Sequence, residues 1–167
     1  MRVSAKADYA VRAAAELAAA SGVRPLKREQ ISAAQNIPSK FLETIMLELK
    51  HAGIVKSTRG AGGGYALARP AAEISVADVI RAVDGPLANV RGERVETVEY
   101  SGAAYALRDV WVAVRASLRR VLETTSLQDL VDNHLPERVR DLTADPEAWI
   151  SLNRRRRSPA AVDDADG

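Results

Sequence analysis

Hydrophobic residues recur at intervals of three and four along most of the chain, a spacing that predicts a series of short amphipathic helices. The first helix is predicted from Ala5 to Ala20, an alanine-rich stretch that follows Ser4, a favourable N-cap residue. A second, shorter pattern covers Lys27 to Gln35 and turns Ile31 and Ala34 inward. Because their apolar side chains are small, both segments are expected to pack closely against other helices.

A third helix is predicted from Pro38 to Ala52, and Gly53 ends it. Its apolar side chains are expected to form one buried face: Pro38, Phe41, Leu42, Ile45, Leu49 and Ala52. The opposite face collects the polar residues Ser39, Lys40, Glu43 and Lys50, with Leu47 among them. A row of this kind suits the major groove of B-DNA, although an ordinary core helix would show the same pattern.

The neighbouring segments favour the DNA-binding interpretation of this helix. Only Asn36 and Ile37 separate the second helix from the third. After the third helix, Val55–Thr58 and Tyr65–Leu67 have strand character and are joined by a turn that contains four glycines: Gly60, Gly62, Gly63 and Gly64. This order of helix, tight turn, helix and hairpin is that of a winged helix-turn-helix.

A glycine-rich turn can instead hold a phosphate group of a nucleotide. The dinucleotide-binding motif would require a glycine where Tyr65 stands and a helix where a strand begins. No Lys-Ser or Lys-Thr pair follows the glycines, so a P-loop is excluded as well.

Three further predicted helices complete the pattern. A helix is predicted after Ser75, which stands in capping-box spacing with Asp78, and a short one after Ser126, in the same spacing with Asp129. The longest helix is predicted from Ala103 to Thr124. Its apolar stripe is too long for one small domain to cover, and it predicts a two-fold dimer: Leu107, Val110, Trp111, Val114, Leu118, Val121 and Leu122.

The predicted fold class is mostly α: a winged helix-turn-helix domain with a two-stranded wing, followed by a long C-terminal dimerisation helix. The expected division is a DNA-binding domain at 1–84, a sensor or linker loop at 85–102, dimerisation helices at 103–133 and a C-terminal extension at 134–167 with a disordered end. Four consecutive arginines, 154–157, lie in that extension, and their role stays open between DNA affinity and a solvated terminus.

Composition and charge restrict the classes of function that the chain can have. Residues 1–70 carry 11 Lys and Arg against 5 Asp and Glu, whereas residues 71–167 carry 13 against 17. The positive half is the half with the predicted recognition helix and wing, which favours attraction to DNA phosphates. No nucleophile stands beside a plausible base, so an enzyme is not expected. With neither a signal peptide nor an apolar run of membrane-spanning length, a cytoplasmic protein that does not contact membranes is expected.

Four blocks of sequence resemble the Rrf2 family of bacterial winged-helix transcription regulators, and they occur in family order over most of residues 1–133. They are MRVSAKADYAVRA, IPSKFLETIMLELKHAGIVKSTRGAGGGYALARP, ISVADVIRAVDGPL and TTSLQDLV. The resemblance implies a dimeric regulator that binds a pseudo-palindromic operator in double-stranded DNA.

Resemblance and geometry together assign DNA contacts to particular side chains. Glu43 is expected to accept a hydrogen bond from a cytosine amino group, and Arg59 to approach the minor groove. The other predicted DNA-binding residues are Arg2, Ser4, Ser39, Lys40, Thr44, Lys50, Gly60 and Gly62.

Cluster-bearing members of the family have three cysteines in the loop at 85–102, and this chain has no cysteine at all. Iron–sulfur clusters require thiolates, so no cofactor is predicted. The predicted effector loop consists of Arg91, Glu93, Arg94, Glu96, Glu99 and Tyr100. Its three glutamates could in principle bind a hard metal ion, but their arginine neighbours favour a salt-bridged loop, and no metal site is predicted.

The signal that controls the protein stays open at this point. One hypothesis is a repressor of sulfur or cysteine metabolism controlled by a partner protein or a small-molecule effector. A second is a constitutive DNA binder, and a third is a protein-binding adapter whose DNA binding is secondary.

Overall fold

An alanine-rich helix, α1 (Ala5–Ala19), lies at the centre of the computed structural model, which describes residues 3–60 and 62–150. The Ser4 hydroxyl caps it by accepting a hydrogen bond of 2.9 Å from the Ala7 amide. Four of its alanines are fully buried: Ala7, Ala10, Ala13 and Ala14. Since these side chains are so small, several other elements can pack directly against α1.

The remaining elements follow in chain order: α2 (Arg28–Gln35), α3 (Ser39–His51), β1 (Val55–Thr58), β2 (Gly64–Leu67), α4 (Val76–Asp84), β3 (Asn89–Val90), β4 (Glu93–Arg94), α5 (Leu107–Leu122), α6 (Leu127–Val131) and α7 (Glu137–Ala144). Short 3-10 helices occur at Ala71–Glu73, Gly102–Ala104 and Pro146–Trp149. Helix α1 contacts α2, α3, α4, α6 and β2. The predicted fold class, mostly helical with a two-stranded wing, is confirmed.

The helix-turn-helix consists of α2 and α3, joined by a tight turn. Asn36 ends α2 in the left-handed conformation, with φ of 50°. The buried stripe of α3 consists of Leu42, Ile45, Met46 and Leu49. The predicted face is therefore rotated towards Met46, and the expected burial of Pro38, Phe41 and Ala52 was wrong. The reason is that periodicity identifies an apolar side but not the direction from which α1 and α4 approach it.

The wing is an antiparallel pair in which Val55 faces Leu67 and Thr58 faces Gly64. A third segment joins it, because Leu26 and Tyr65 exchange two backbone hydrogen bonds of 2.8 and 2.9 Å. Gly64 has φ of +154°, and a Cβ atom there would lie 2.6 Å from the Leu26 carbonyl oxygen. This close approach of two backbones requires glycine.

Both predicted capping boxes are present, and they start neighbouring helices. Ser75 begins α4 and Ser126 begins α6, each with the expected reciprocal bonds to the aspartate three residues later. A backbone bridge links the two serines directly. Leu127 is fully buried, and α6 packs against α1 and the 71–73 turn.

Helix α5 is shorter at both ends than the predicted 103–124, because Gly102–Ala104 forms a separate 3-10 helix. Of the sixteen residues of α5, all of which the structure describes, none is buried. The predicted stripe is half-buried, apart from Val110, which is 51% exposed. One copy of the chain thus leaves this apolar surface partly uncovered.

The contacts divide the chain into one unit that ends at Pro136 and a second that begins at Glu137. The second unit contains α7, and the Trp149 indole donates a hydrogen bond of 2.8 Å to the Thr143 carbonyl. Val139 and Leu142 lie within α7. The four arginines at 154–157 lie outside the described residues. No helix among the described residues has the length and apolarity needed to cross a bilayer.

Candidate nucleic-acid interface

The outward face of α3 carries the predicted recognition residues in solvent. Ser39, Lys40, Glu43, Thr44 and Lys50 are all exposed, whereas the buried stripe of α3 consists of Leu42, Ile45, Met46 and Leu49. Leu47 is also exposed, at 54%, and is the apolar member of the row that the pattern predicted. A helix that is buried on one side and polar on the other can enter a major groove without breaking the contacts that hold it to the rest of the domain.

Lys6 of α1 holds α3 in place. Its ammonium group lies 2.8 Å from a carboxylate oxygen of Glu48 on α3 and donates to the Val83 carbonyl on α4, also over 2.8 Å. One side chain therefore joins three helices. Sequence reasoning did not identify this contact, because 42 and 77 residues separate Lys6 from its partners.

A second cluster joins α1 to the helix-turn-helix on the other side. Arg12 forms an ion pair with Asp8 over 2.8 Å and donates to the Gln35 carbonyl over 2.7 Å. Its guanidinium also lies 4.9 Å from the centre of the Tyr9 ring, which meets Phe41 edge to face at 6.0 Å. Asp8 is thus engaged in a salt bridge within α1.

Glu43 has a partner on the preceding helix that the sequence analysis missed. Its carboxylate lies 3.4 Å from the guanidinium of Arg28, which also lies 3.5 Å from Glu29. Both carboxylate side chains are 71% exposed, so a DNA base could compete with Arg28 for Glu43.

The tip of the wing presents Arg59, Gly60 and Gly62 to solvent, as a groove-contacting loop requires. Ser4 is different, because its hydroxyl accepts from Ala7 and also bonds to the Asp84 carboxylate. Its role as a phosphate donor therefore stays a prediction, and the bond that the hydroxyl donates to Asp84 would have to break first. Arg2 lies outside the described residues.

The predicted effector loop contains a short hairpin, β3–β4, which sequence reasoning treated as irregular. Val95 and Val98 are buried beneath it. Glu96 pairs with Arg115 of α5, and the Trp111 indole donates to the Tyr100 hydroxyl over 3.1 Å. Arg91, Glu93, Arg94 and Glu99 are exposed. The loop is thus joined to α5 by two polar contacts.

Hydrogen bonding keeps two acidic groups near α5 ionised. A backbone hydrogen bond at residue 96, followed by hydrogen bonding from Arg115, lowers the pKa of Glu96. Hydrogen bonds from Arg81 and then Arg119 lower the pKa of Glu123. Both carboxylates therefore remain charged partners of arginine at neutral pH.

The residues present do not fit an iron–sulfur cluster. The chain contains no cysteine, and among the described residues there is no group of three or more acidic or histidine side chains that could hold a metal ion. Of the glutamates in the loop, Glu96 is already bound by Arg115. The thiolate ligands that such a cluster requires are therefore absent, and one of the loop carboxylates is occupied by an arginine.

The chain matches known regulators over most of its length. The Rrf2 family profile, described as "Iron-dependent Transcriptional regulator", matches residues 3–133. The protein Rv1287 of Mycobacterium tuberculosis, named as an HTH-type transcriptional regulator, is 51% identical over 151 residues, which cover 90% of this chain and 94% of the relative.

Two solved structures show the same fold. The structure of CymR, titled as the global cysteine regulator of B. subtilis, has a TM-score of 0.69 and 32% identity, and covers 80% of this chain and 98% of that one. The structure of T. potens IscR has a TM-score of 0.65 and 30% identity, and covers 90% and 93%. Together with the exposed recognition helix and wing, these matches show that the chain belongs to the Rrf2 family of DNA-binding transcriptional regulators.

Proposed function

We propose that two copies of this chain form a dimer that represses transcription, with both α3 helices in successive major grooves of a pseudo-palindromic operator. The observation that carries the proposal is the exposed row of Ser39, Lys40 and Glu43 on α3, backed by a fully buried apolar stripe. The basic excess of residues 1–70 supports it, because phosphate attraction supplies much of the affinity for DNA. Such a regulator would act in the cytoplasm, without contact to membranes.

The apolar stripe of α5 supports the proposed dimer. Its stripe of seven apolar side chains is only half-buried in one copy, and the same stripe on a second copy is the simplest surface to cover it. To bind a pseudo-palindrome in this way, the dimer would have to present its two α3 helices to one face of a duplex at a spacing of about 34 Å.

The target genes are inferred from the relatives. Similarity to CymR, whose structure is titled as a global cysteine regulator, supports a role in sulfur or cysteine metabolism. The absence of cysteine from the chain favours control by an effector or partner protein over control by a cluster.

Selection of bound sequences from random DNA tests the proposal directly. The wild-type protein is expected to recover a pseudo-palindrome. Glu43→Ala should relax the preference at one base pair in each half-site by about 1–3 kcal/mol. Glu29→Ala is the matched control, because Glu29 has the same exposure and the same Arg28 partner but lies on α2. Equal relaxation by both variants, or by neither, would contradict the role of Glu43.

Salt dependence separates a DNA-binding function from an adapter. If Lys50 and Arg59 contact phosphates, replacing either with alanine should weaken binding to every sequence and flatten the slope of log K against log salt by about 0.9 per lost contact. Arg120→Ala, which removes an exposed arginine of α5, should leave the slope unchanged. A wild-type affinity that does not vary with salt would favour the adapter.

A further inference from the structure

A cleft of about 640 Å³ opens between α4, the loop at 85–88, β4 and α5. This volume lies within the range of small-molecule binding sites, roughly 300–1,000 Å³. The polar lining consists of Arg81, Arg94, Glu96, Arg115 and Arg119, whereas the loop contributes a wall of glycine, proline, leucine and alanine. None of these residues belongs to α3 or to the wing, so the cleft is separate from the proposed recognition surface.

Positive charge is in excess at this cleft. Arg115 pairs with Glu96, and Arg81 and Arg119 share the single carboxylate of Glu123 at the end of α5. Arg94 makes no ion pair with any carboxylate in the described part of the chain. Four guanidinium groups therefore face two carboxylates, which leaves a net charge of +2 at the cleft.

Ion pairs hold three of the four arginines in position, and all four still have N–H donors available for a ligand. A guanidinium group carries five N–H donors, and one carboxylate can use only some of them. Arg115 and Arg119 stand four residues apart and share one side of α5, while Arg81 approaches from α4 and Arg94 from β4. The ion pairs to Glu96 and Glu123 restrict three of these side chains, so less conformational entropy is lost when a ligand binds.

We propose that this cleft binds a small anion with two negative charges, held by bidentate hydrogen bonds from Arg94 and Arg119. Dicarboxylates and phosphate esters share the necessary chemistry, since both present paired oxygens to a guanidinium fork. The apolar wall at 85–88 suits a short carbon chain between or beside the charged groups.

Titration of the full-length protein with inorganic phosphate and, separately, with succinate tests the proposal. Heat of binding and thermal stability are followed at a constant ionic strength set with sodium chloride. At least one of the two anions should bind saturably and raise the melting temperature, and the one that binds more tightly identifies the tetrahedral or the dicarboxylate form. If neither anion binds more tightly than chloride or raises the melting temperature more than chloride does at equal ionic strength, the proposal fails.

Two arginine variants locate the site. Arg94→Ala, an exposed residue of a short hairpin, should lower the affinity about ten-fold, as expected for the loss of one charge-assisted interaction. Arg120→Ala makes the same charge change on the exposed surface of α5 outside the cleft and should bind like the wild type. Equal affinities in Arg94→Ala and wild type would overturn the assignment. A second result would also overturn it: Arg94→Ala binds DNA more weakly than the wild type when no small anion is present. The cleft would then bind the phosphates of DNA rather than a small anion.

Discussion

Lys6 and Glu48 form an ion pair of 2.8 Å that ties the central helix α1 directly to the recognition helix α3. Both side chains are about 30% exposed, so water screens the pair only in part. The same ammonium group also bonds to the Val83 carbonyl of α4. One lysine therefore links α3 to two other helices of the domain.

Replacing Lys6 with methionine should lower the free energy of unfolding by about 1–2 kcal/mol, because Glu48 and a carbonyl oxygen lose a charged donor. Urea denaturation measures the change. Lys56→Met, on the exposed side of the wing, is the control and should change stability by less than about 0.5 kcal/mol. Equal stability of the Lys6 variant and the wild type would mean that the pair only links surfaces already fixed by packing.

Gly64→Ala should destabilise the protein by about 1–3 kcal/mol, because its backbone conformation is strained for other residues and the Leu26 carbonyl leaves no room for a Cβ atom. The matched control is Gly62→Ala, where no atom lies within 4 Å of the added carbon and the backbone imposes no positive φ. Chemical denaturation of both variants tests the prediction. If only Gly62→Ala lost stability, the tip of the wing, and not its junction with Leu26, would limit the stability of the wing.

Glu123 should make the stability depend on pH in the acid range. Arg81 and Arg119 lower its pKa in the folded protein below the ordinary value of 4.5, so its contribution is complete above pH 4.5 and is lost as the pH falls through the folded pKa. Glu123→Gln should therefore lose less stability than the wild type over that acid range. Melting temperatures from pH 7 down to pH 3 check this, with Glu99→Gln as an exposed control. Parallel curves for Glu123→Gln and the wild type would contradict the prediction.

Val110→Glu should convert the proposed dimer into a monomer, since it places a charge at the most exposed position of the half-covered stripe on α5. The matched control is Ala113→Glu, which adds the same group at an exposed position away from the stripe. Light scattering coupled to size-exclusion chromatography gives the mass of each species. A wild-type mass of one chain, or a dimeric Val110→Glu variant, would exclude α5 as the dimer contact.

Local patterns in the sequence were enough to predict most of the helices and the wing. Periodicity located α1, α2, α3 and α4, and the capping boxes at Ser75 and Ser126 marked the starts of two helices correctly. These features depend on neighbours three or four residues apart, so they can be recognised without knowledge of the fold.

Tertiary structure decided the contacts that join distant segments. The burial of Met46 in place of Phe41 depends on the direction from which other helices approach α3, which periodicity cannot supply. The β3–β4 hairpin turns at Arg91 and Gly92, both with positive φ, a sequence that carries only a weak turn signal. Its two-residue strands are too short to show any alternation.

By itself, the sequence determined the family, the order of the main helices and the wing, and the row of polar residues on α3, because these follow from residue identity and spacing along the chain. Only the tertiary structure brought Lys6 to Glu48, Arg28 to Glu43 and four arginines to one cleft. Ion pairs between distant residues leave no periodic trace, since each partner is an ordinary surface charge until the fold places the other beside it.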